Sequence, residues 1–211
     1  MPARDLVIGS FNRGKAGEVR DTLQNLSLTI RYLPDFPKIF PVPETAETYS
    51  ENAILKAKGY AGQTRILTLA DDSGLEVDAL GGRPGVFSAR FGGADASDDD
   101  RINLLLEELG DRRPAERTAR FVCYMALAAV TADTGLQTDP EVLTLVQGTC
   151  EGTIANGPTG TNGFGFDPVF IPQGYTQTFA ELPNEVKARI SHRAKALEQI
   201  RAFLNDWLSV A

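Results

Sequence analysis

The chain of 211 residues is 42% hydrophobic and 23% charged, which is typical of one globular domain or of two small lobes that share a core. Its 21 basic and 28 acidic residues give a net charge of −7, which disfavours general binding of nucleic-acid polymers or anionic membranes. One histidine and two cysteines are too few for a zinc site built from these ligands alone or for a disulfide framework. Any metal site would therefore rely on carboxylates and bind a hard cation.

The first half of the chain is predicted to alternate between strands and helices, because its apolar residues change from continuous runs to helical spacing. The predicted elements are, in chain order, a strand over Leu6–Gly9, a polar loop over Ser10–Lys15, a helix on Val19, Leu23 and Leu26, an irregular proline-rich stretch from Pro34 to Pro43, a helix over Ser50–Ala61 and a strand over Ile66–Ala70. We expect the last strand to stop at Asp71.

The second half begins with a predicted helix that Ser97 caps and Gly110 ends. The remaining predicted elements are a strand over Arg120–Val130, a hairpin loop over Thr131–Glu141, a strand over Leu143–Thr149, a glycine-rich loop over Gly157–Asp167 and a helix from Ser191 to Leu208. Strands alternate with helices early and follow one another later, so the sequence predicts an α/β protein with a mixed sheet.

The segment Gly9–Ala16 nearly matches the P-loop pattern G-x-x-x-x-G-K-[ST], and it lies between a predicted strand and a predicted helix. The strand that ends at Asp71 would supply the acidic partner of such a loop. Ala16, however, replaces the hydroxyl residue that binds Mg²⁺ in P-loop enzymes. A P-loop NTPase or a small nucleotide kinase is still open at this point. With or without a P-loop, this junction is suited to bind phosphate, and an ordinary turn with a surface Lys15 is the alternative.

Asp71 and Asp72 are adjacent carboxylates that packing does not explain, because burying an unpaired carboxylate is costly. Side chains alternate along a strand, so one carboxylate is expected to face a metal or a water and the other to meet neighbouring N–H groups. Glu47 and Glu51 are placed where a helix begins, so helix capping can explain both of them. Glu44 lies in a proline-flanked loop, where this explanation applies less well. We interpret Asp98–Asp100 as a solvated helix start and not as a metal site.

The glycine-rich loop Gly157–Asp167 would let a ligand approach the backbone while an aromatic ring stacks on a planar base. Phe164 and Phe166 would share one face if the backbone were extended, so base stacking and core packing are both open for them. The last helix begins with Ser191-His-Arg193, where a cation disfavours the helix unless an anion or a polar ligand lies nearby.

Neither a signal peptide nor a membrane span is predicted. The longest nearly apolar run, Phe121–Val130, has about ten residues, which is half the length that a bilayer requires. We therefore expect a cytoplasmic protein in which Cys123 and Cys150 are reduced core residues, with a disulfide between them as the alternative.

Taken together, these motifs resemble the non-canonical purine nucleoside triphosphate pyrophosphatases, the inosine/xanthosine triphosphate pyrophosphatase family. The resemblance extends from residue 6 to residue 208 and keeps the family's order. The matching segments are Ser10–Lys15, Glu44 with Thr48–Ala53, Ala70–Leu75, Leu80–Gly85 with Ser88–Phe91, Gly163–Pro168, and Lys187 with Ser191–Arg193.

The resemblance implies a single domain over residues 1–211, with an elongated mixed sheet flanked by helices and two lobes around a central nucleotide cleft. It implies a homodimer that uses Mg²⁺. The implied reaction splits inosine, deoxyinosine and xanthosine triphosphates (ITP, dITP and XTP) into the monophosphate and pyrophosphate. Such a reaction removes non-canonical purine nucleoside triphosphates from the nucleotide pool.

The resemblance also implies roles for individual residues. Asp72 would be the catalytic acid–base group and a metal ligand, Glu44 would be a second metal ligand, and Lys15 would stabilise developing charge. The triphosphate would be bound by Ser10, Phe11, Asn12, Arg13, Gly14, Lys15 and Ser73, and the base and sugar by Phe164, Gly165, Phe166, Asp167, Lys187, His192 and Arg193.

The sequence departs from the family pattern at three places. Phe166 replaces the usual Tyr or Trp, which leaves the finer base preference open. Asn162 replaces a common Gly, and the segment Asp133–Glu141 is longer than is typical. A nucleotide-binding regulatory module without turnover is a further alternative, but a pure binder has no need of two carboxylates beside a metal.

Overall fold

The computed structural model describes residues 4–130 and 139–210. Within them, the strands are β1 (Arg4–Ile8), β2 (Leu28–Tyr32), β3 (Leu67–Val77), β4 (Thr118–Ala129), β5 (Glu141–Ile154) and β6 (Phe170–Pro172). The helices are α1 (Arg13–Leu23), α2 (Tyr49–Thr64), α3 (Asp98–Leu109), α4 (Asn184–Ile190) and α5 (His192–Val210).

The six strands form one mixed sheet in the order β2-β1-β3-β4-β5-β6. Strand β1 pairs in parallel with both β2 and β3, so that Leu6 lies opposite Ile30 on one side and Leu67 on the other. Strands β5 and β6 pair antiparallel, with Thr153 opposite Ile171. The predicted α/β class with a mixed sheet is therefore confirmed.

Strand β3 is longer than the sequence predicted. The prediction that it stops at Asp71 is wrong, because Leu75 and Val77 are fully buried and extend its apolar pattern past the carboxylates. Asp71 and Asp72 consequently lie inside a strand, just beyond Leu69, the last residue of β3 that pairs with β1.

Three short elements were not predicted: β2, β6 and α4. Strand β2 has no fully buried residue, so its apolar alternation is weak, and β6 has only three residues. Residues 131–138 of the predicted hairpin loop lie outside the described residues, as does most of the long segment Asp133–Glu141.

The chain divides into two compact units, and the first comprises Met1–Asp72, Tyr124–Gln147 and Ala196–Ala211. Part of its core is made of alanines, because small side chains allow helix α2 and the sheet to approach closely. These buried alanines are Ala53, Ala57 and Ala61 of α2, Ala70 of β3, and Ala126 and Ala128 of β4.

The second unit comprises Ser73–Cys123 and Gly148–Lys195, and its core is aromatic. Its buried phenylalanines are Phe91, Phe121, Phe166, Phe170 and Phe179. Cys123 and Cys150 are buried in this unit and are not joined in a disulfide, and burial raises the pKa of Cys150 to about 11. The single domain over residues 1–211 stays a prediction.

Arg117 connects the end of helix α3 to the end of strand β5 in the second unit. Its guanidinium is buried and donates hydrogen bonds to the carbonyls of Gly110, Ile154 and Ala155 at 2.9 to 3.1 Å. Burial lowers the pKa of this side chain. A planar group with donors on three nitrogens suits this arrangement, whereas a lysine could not reach all three carbonyls in the same geometry.

None of the described helices combines the length and apolarity needed to cross a bilayer.

Candidate active site

The loop after β1 leads directly into helix α1. Asn12 is the N-cap residue, and its Oδ1 accepts a hydrogen bond from the backbone N–H of Lys15 at 3.0 Å. The predicted loop over Ser10–Lys15 is therefore too long, because Arg13, Gly14 and Lys15 already form the first helical turn. The N–H groups of a first turn favour an anion, so this helix start fits the expected phosphate seat.

Lys15 forms an ion pair with Asp71. The distance from Nζ to Oδ2 is 3.0 Å, and the Asp71 side chain is only 4% exposed. The ammonium group thus comes from the end of the first turn of α1 and the carboxylate from the middle of β3. This pair places the proposed phosphate-binding lysine beside the double-acid motif.

Asp72 is hydrogen-bonded to a different cation. Lys56 Nζ donates to Asp72 Oδ1 at 3.2 Å and to Glu44 Oε2 at 3.0 Å, and the Lys56 side chain is 9% exposed. Asp72 Oδ2 is buried and accepts no hydrogen bond from the described residues. The structure therefore brings Glu44 and Asp72 together around one ammonium group and leaves one carboxylate oxygen of Asp72 available.

Sequence reasoning missed Lys56, although a signal was present. Lys56 follows Ala53 by three residues and precedes Tyr60 by four, so helical spacing places it on the buried face of α2. A lysine on such a face needs a carboxylate partner, because an unpaired buried charge is costly. We call Lys15, Glu44, Lys56, Asp71 and Asp72 the carboxylate cluster.

The pKa values of the two carboxylates that bind Lys56 move in opposite directions. Burial raises the pKa of Asp72 to about 6, although Lys56 and Lys15 oppose this change. Burial also acts to raise the pKa of Glu44, but Lys56, together with Asp72 and Lys15, more than offsets it and holds this pKa below its ordinary value. Asp72 is thus the more proton-accepting of the two groups, as a general base near neutral pH requires.

The carboxylate cluster could hold a hard cation. Among the described residues, no group of three or more His, Cys, Asp or Glu side chains is placed to bind a metal. The buried free oxygen of Asp72 and the neighbouring Glu44 nevertheless offer two carboxylate ligands. This donor set suits Mg²⁺, which is often held by one or two carboxylates and completes its shell with water and substrate phosphates.

A second group of predicted residues comes together in the second unit around Asp167. Lys187 Nζ donates to Asp167 Oδ2 at 2.5 Å, and the same oxygen accepts the backbone N–H of Phe164 at 2.9 Å. The Lys187 ammonium also lies 4.7 Å from the centre of the Phe164 ring. A half-buried aromatic ring with a cation beside it is suited to stacking on a purine.

Arg193 is also buried in this unit, and its Nη2 donates to Ser73 Oγ at 2.9 Å. Ser191 caps helix α5 as predicted, since its Oγ accepts the backbone N–H of Ala194. His192 is 5% exposed and its ring stacks on Phe121, with centres 4.7 Å apart. We call Ser73, Phe164, Asp167, Lys187, His192 and Arg193 the polar–aromatic cluster.

Phe164 and Phe166 do not share a face. Gly165 between them has a φ of +61°, so the backbone is left-handed there and not extended. Phe166 is 4% exposed and packs near Phe91, whereas Phe164 is half-buried near Lys187. Phe166 therefore belongs to the core, whereas base stacking by Phe164 stays a prediction.

Two other predicted residues lie at the edge of the first unit's site. Phe11 is 49% exposed, and the edge of its ring meets Tyr60 at 6.2 Å between ring centres. Ser10 Oγ accepts the backbone N–H of Asn12 and so supports the turn into α1.

This α/β fold, with a carboxylate cluster beside a helix start and a polar–aromatic cluster, agrees with the class expected from the sequence motifs. The chain belongs to the Ham1 family, whose model matches residues 6–203. The resemblance drawn from the motifs is confirmed, and the P-loop alternative is not supported.

Proteins similar to this chain include two named dITP/XTP pyrophosphatase. One is from Bacillus anthracis, with 41% identity over 97% of this chain and 98% of that protein, and the other is from Exiguobacterium sibiricum, with 45% identity over 96% and 98%. A HAM1 protein structure from Coxiella burnetii is 39% identical, has a TM-score of 0.83 and aligns over 96% of this chain and 99% of its own.

Proposed function

We propose that this protein hydrolyses ITP, dITP and XTP to the monophosphate and pyrophosphate and thereby clears non-canonical purines from the nucleotide pool. The observation that carries the proposal is the carboxylate cluster, in which Asp72 has a raised pKa and a buried oxygen that accepts no hydrogen bond from the described part of the chain. Membership of the Ham1 family and relatives named dITP/XTP pyrophosphatase support the substrate class.

We propose Mg²⁺ as the cofactor and Glu44 and Asp72 as its protein ligands. A bound Mg²⁺ would neutralise phosphate charge and acidify water. Both residues offer carboxylate oxygens, and the free Oδ2 of Asp72 fits this role.

The chain's own residues have separate roles in the proposed reaction. Asp72 accepts a proton from the attacking water, whose oxygen forms a bond to the α-phosphorus while the bond to the bridging oxygen of the β-phosphate breaks. Pyrophosphate leaves with the bonding electrons, and Lys15 stabilises the charge that develops on the phosphate oxygens. Residues 10–14 and Ser73 bind the triphosphate, with the first turn of α1 contributing N–H donors.

The polar–aromatic cluster would bind the base and sugar. The Phe164 ring offers a stacking surface, and Gly165, Phe166 and Asp167 complete the loop that carries it. Inosine and xanthosine present an oxygen acceptor at position 6, where adenine presents an amino donor. Donors such as Arg193, His192 and backbone N–H groups would favour the acceptor, since two donors that face each other lose their hydrogen bonds.

Product analysis tests the proposal. The protein is incubated with ITP and Mg²⁺, with ATP as the matched purine control, and the products are separated by ion-exchange chromatography. We expect IMP and pyrophosphate from ITP in equal amounts and much slower turnover of ATP. Inosine diphosphate with inorganic phosphate would instead indicate a P-loop type of reaction. Bound ITP without products after hours would indicate a regulatory binding module.

The assembly and location of the protein are also proposals. We propose a homodimer, to be tested by light scattering coupled to size-exclusion chromatography. We propose a cytoplasmic location, in keeping with the reduced state of Cys123 and Cys150, to be tested by cell fractionation. We propose one functional domain over residues 1–211, because a single family model matches residues 6–203.

A further inference from the structure

A carboxylate outside the proposed substrate-binding residues holds the loop that carries Phe164. Asp98 Oδ2 accepts a hydrogen bond from the backbone N–H of Gly165 at 2.7 Å. The two residues are 67 positions apart in the sequence, and Asp98 is the first residue of α3. The start of this helix is therefore hydrogen-bonded to the loop Gly163–Asp167, which we call the base loop.

Helix α3 does not need Asp98 for its own cap. Ser97 Oγ accepts the backbone N–H of Asp100 at 3.1 Å, and Asp100 Oδ2 accepts the backbone N–H of Ser97 at 2.9 Å, which completes a capping box. The carboxylate of Asp98 is instead oriented by Arg101, whose Nη1 donates to Oδ1 at 2.8 Å. One oxygen of Asp98 thus binds a guanidinium while the other is directed at the base loop.

Two hydrogen bonds to carboxylates fix the peptide groups on both sides of Phe164. The N–H of Phe164 donates to Asp167 Oδ2 at 2.9 Å, and the N–H of Gly165 donates to Asp98 Oδ2 at 2.7 Å. Gly165 has a φ of +61°, so glycine itself imposes little preference on the conformation at this point. The carbonyl of the same peptide group accepts the N–H of Asp167 at 3.3 Å, so the bond from Asp98 adds a second and shorter restraint to this group.

We propose that Asp98 is a positioning residue for base recognition, which acts through the Gly165 N–H to hold the Phe164 ring in the orientation that stacks on the purine. This inference rests on the proposed function, because the base loop has this role only if the ligand is a nucleotide. Asp98 is 48% exposed, and Asp99 beside it is the matched acidic control on the same helical turn.

The kinetic test compares the wild type with Asp98→Ala, Asp98→Asn and Asp99→Ala in the full-length protein. For Asp98→Ala we expect the KM for ITP to rise by about fivefold to tenfold, the effect of losing one charge-assisted hydrogen bond near the surface, with kcat within about twofold. Inhibition by IMP should weaken by the same factor, while inhibition by pyrophosphate stays unchanged. Asp98→Asn retains an oxygen acceptor and should recover part of the loss, and Asp99→Ala should behave as the wild type.

A spectroscopic test does not depend on activity. The sequence contains two Phe-Gly pairs, Phe91-Gly92 and Phe164-Gly165, so labelling with carbonyl-¹³C phenylalanine and ¹⁵N glycine selects two amide signals. A short hydrogen bond to a carboxylate moves an amide proton downfield. In Asp98→Ala the Gly165 signal should therefore move upfield, with Gly92 as the internal reference and thermal unfolding as a check on the fold.

The outcomes separate this inference from the proposed function. If the wild type releases no pyrophosphate from ITP, the proposed function is overturned, and the role of Asp98 with it. If the wild type is active but Asp98→Ala matches Asp99→Ala in KM, only the role of Asp98 is overturned. An unchanged Gly165 signal in Asp98→Ala also overturns it, even where the KM rises.

Discussion

The ammonium group of Lys56 donates a hydrogen bond to the carboxylate of Asp72 at 3.2 Å, and both side chains are less than 10% exposed. A buried ion pair is costly to desolvate and is often no more stable than an apolar pair. The pair uses only one oxygen of Asp72, and the other is buried without a hydrogen bond from the described residues. We interpret Asp72 as a carboxylate whose second oxygen stays available for catalysis, although burying it lowers the stability of the fold.

The first prediction concerns the proposed general base. Asp72→Asn removes the proton-accepting group at nearly constant volume, so we expect kcat for ITP to fall by at least about 100-fold, the usual contribution of general acid–base groups. Steady-state release of pyrophosphate measures the change. Turnover close to that of the wild type would rule out Asp72 as the base.

The same substitution should change how stability depends on pH in the metal-free protein. The pKa of Asp72 is raised from 3.8 to about 6, so the folded state favours the protonated carboxyl. Its contribution is present below pH 4 and is lost as the pH rises through about 6, a loss of about 3 kcal/mol. Urea denaturation with a chelator present should show wild-type stability falling relative to Asp72→Asn between pH 4 and 7. Parallel curves would contradict this expectation.

Lys56→Met should destabilise the metal-free protein. It removes the cation between two carboxylates, and breaking a buried ion pair costs about 3 to 5 kcal/mol. The control is Lys58→Met, because Lys58 lies on the same helix and is half-buried. We expect urea denaturation to show the larger loss for Lys56→Met and partial recovery when Mg²⁺ is added. Equal stabilities of the two variants would argue against a structural role for the Lys56 ammonium.

Glu44→Gln tests the proposed metal ligands. Replacing a carboxylate ligand by an amide should raise the Mg²⁺ concentration for half-maximal activity by at least about tenfold, since even residues that only orient metal ligands contribute this much. Glu47→Gln is the matched control, three residues further along the chain and exposed. A Mg²⁺ titration of initial rates distinguishes the two, and identical titration curves would remove Glu44 from the ligand set.

Gly163→Ala tests the rigidity of the base loop. Gly163 has a φ of +78°, and a Cβ there would overlap the Asp167 carboxylate, with Cγ only 2.8 Å away. Strain and overlap together should lower the free energy of unfolding by about 2 kcal/mol or more and raise the KM for ITP. Gly157→Ala is the control, because a Cβ at Gly157 meets nothing within 4 Å. The prediction fails if both variants unfold at the same urea concentration.

The sequence was sufficient to predict most of the long elements, because these have strong local signals, whereas the roles of the site residues stay predictions. Helix α3 begins and ends where Ser97 and Gly110 predicted. Strand β2 was missed because it has no buried residue, and β3 was cut short at Asp71 because a pair of carboxylates inside a strand is rare.

The contacts that link distant segments could not be predicted. Lys56 lies 16 residues from Asp72, and Asp98 lies 67 residues from Gly165, so no local pattern joins either pair. The orientations of Phe164 and Phe166 could not be predicted either. They depend on the left-handed φ of Gly165, whereas the prediction considered an extended backbone.

The three hydrogen bonds of Arg117 have an evolutionary consequence. Every acceptor is a main-chain carbonyl, so substitutions at positions 110, 154 and 155 change side chains without deleting an acceptor. For these three hydrogen bonds, mutational sensitivity is thus concentrated in Arg117, where even lysine would leave carbonyls without a donor. Positions 110 and 154 are constrained for separate reasons, since Gly110 has a φ of +53° and Ile154 is buried in the core. The neighbouring sequence can therefore vary only where backbone conformation and packing permit it, whereas the hydrogen bonds themselves depend on one side chain.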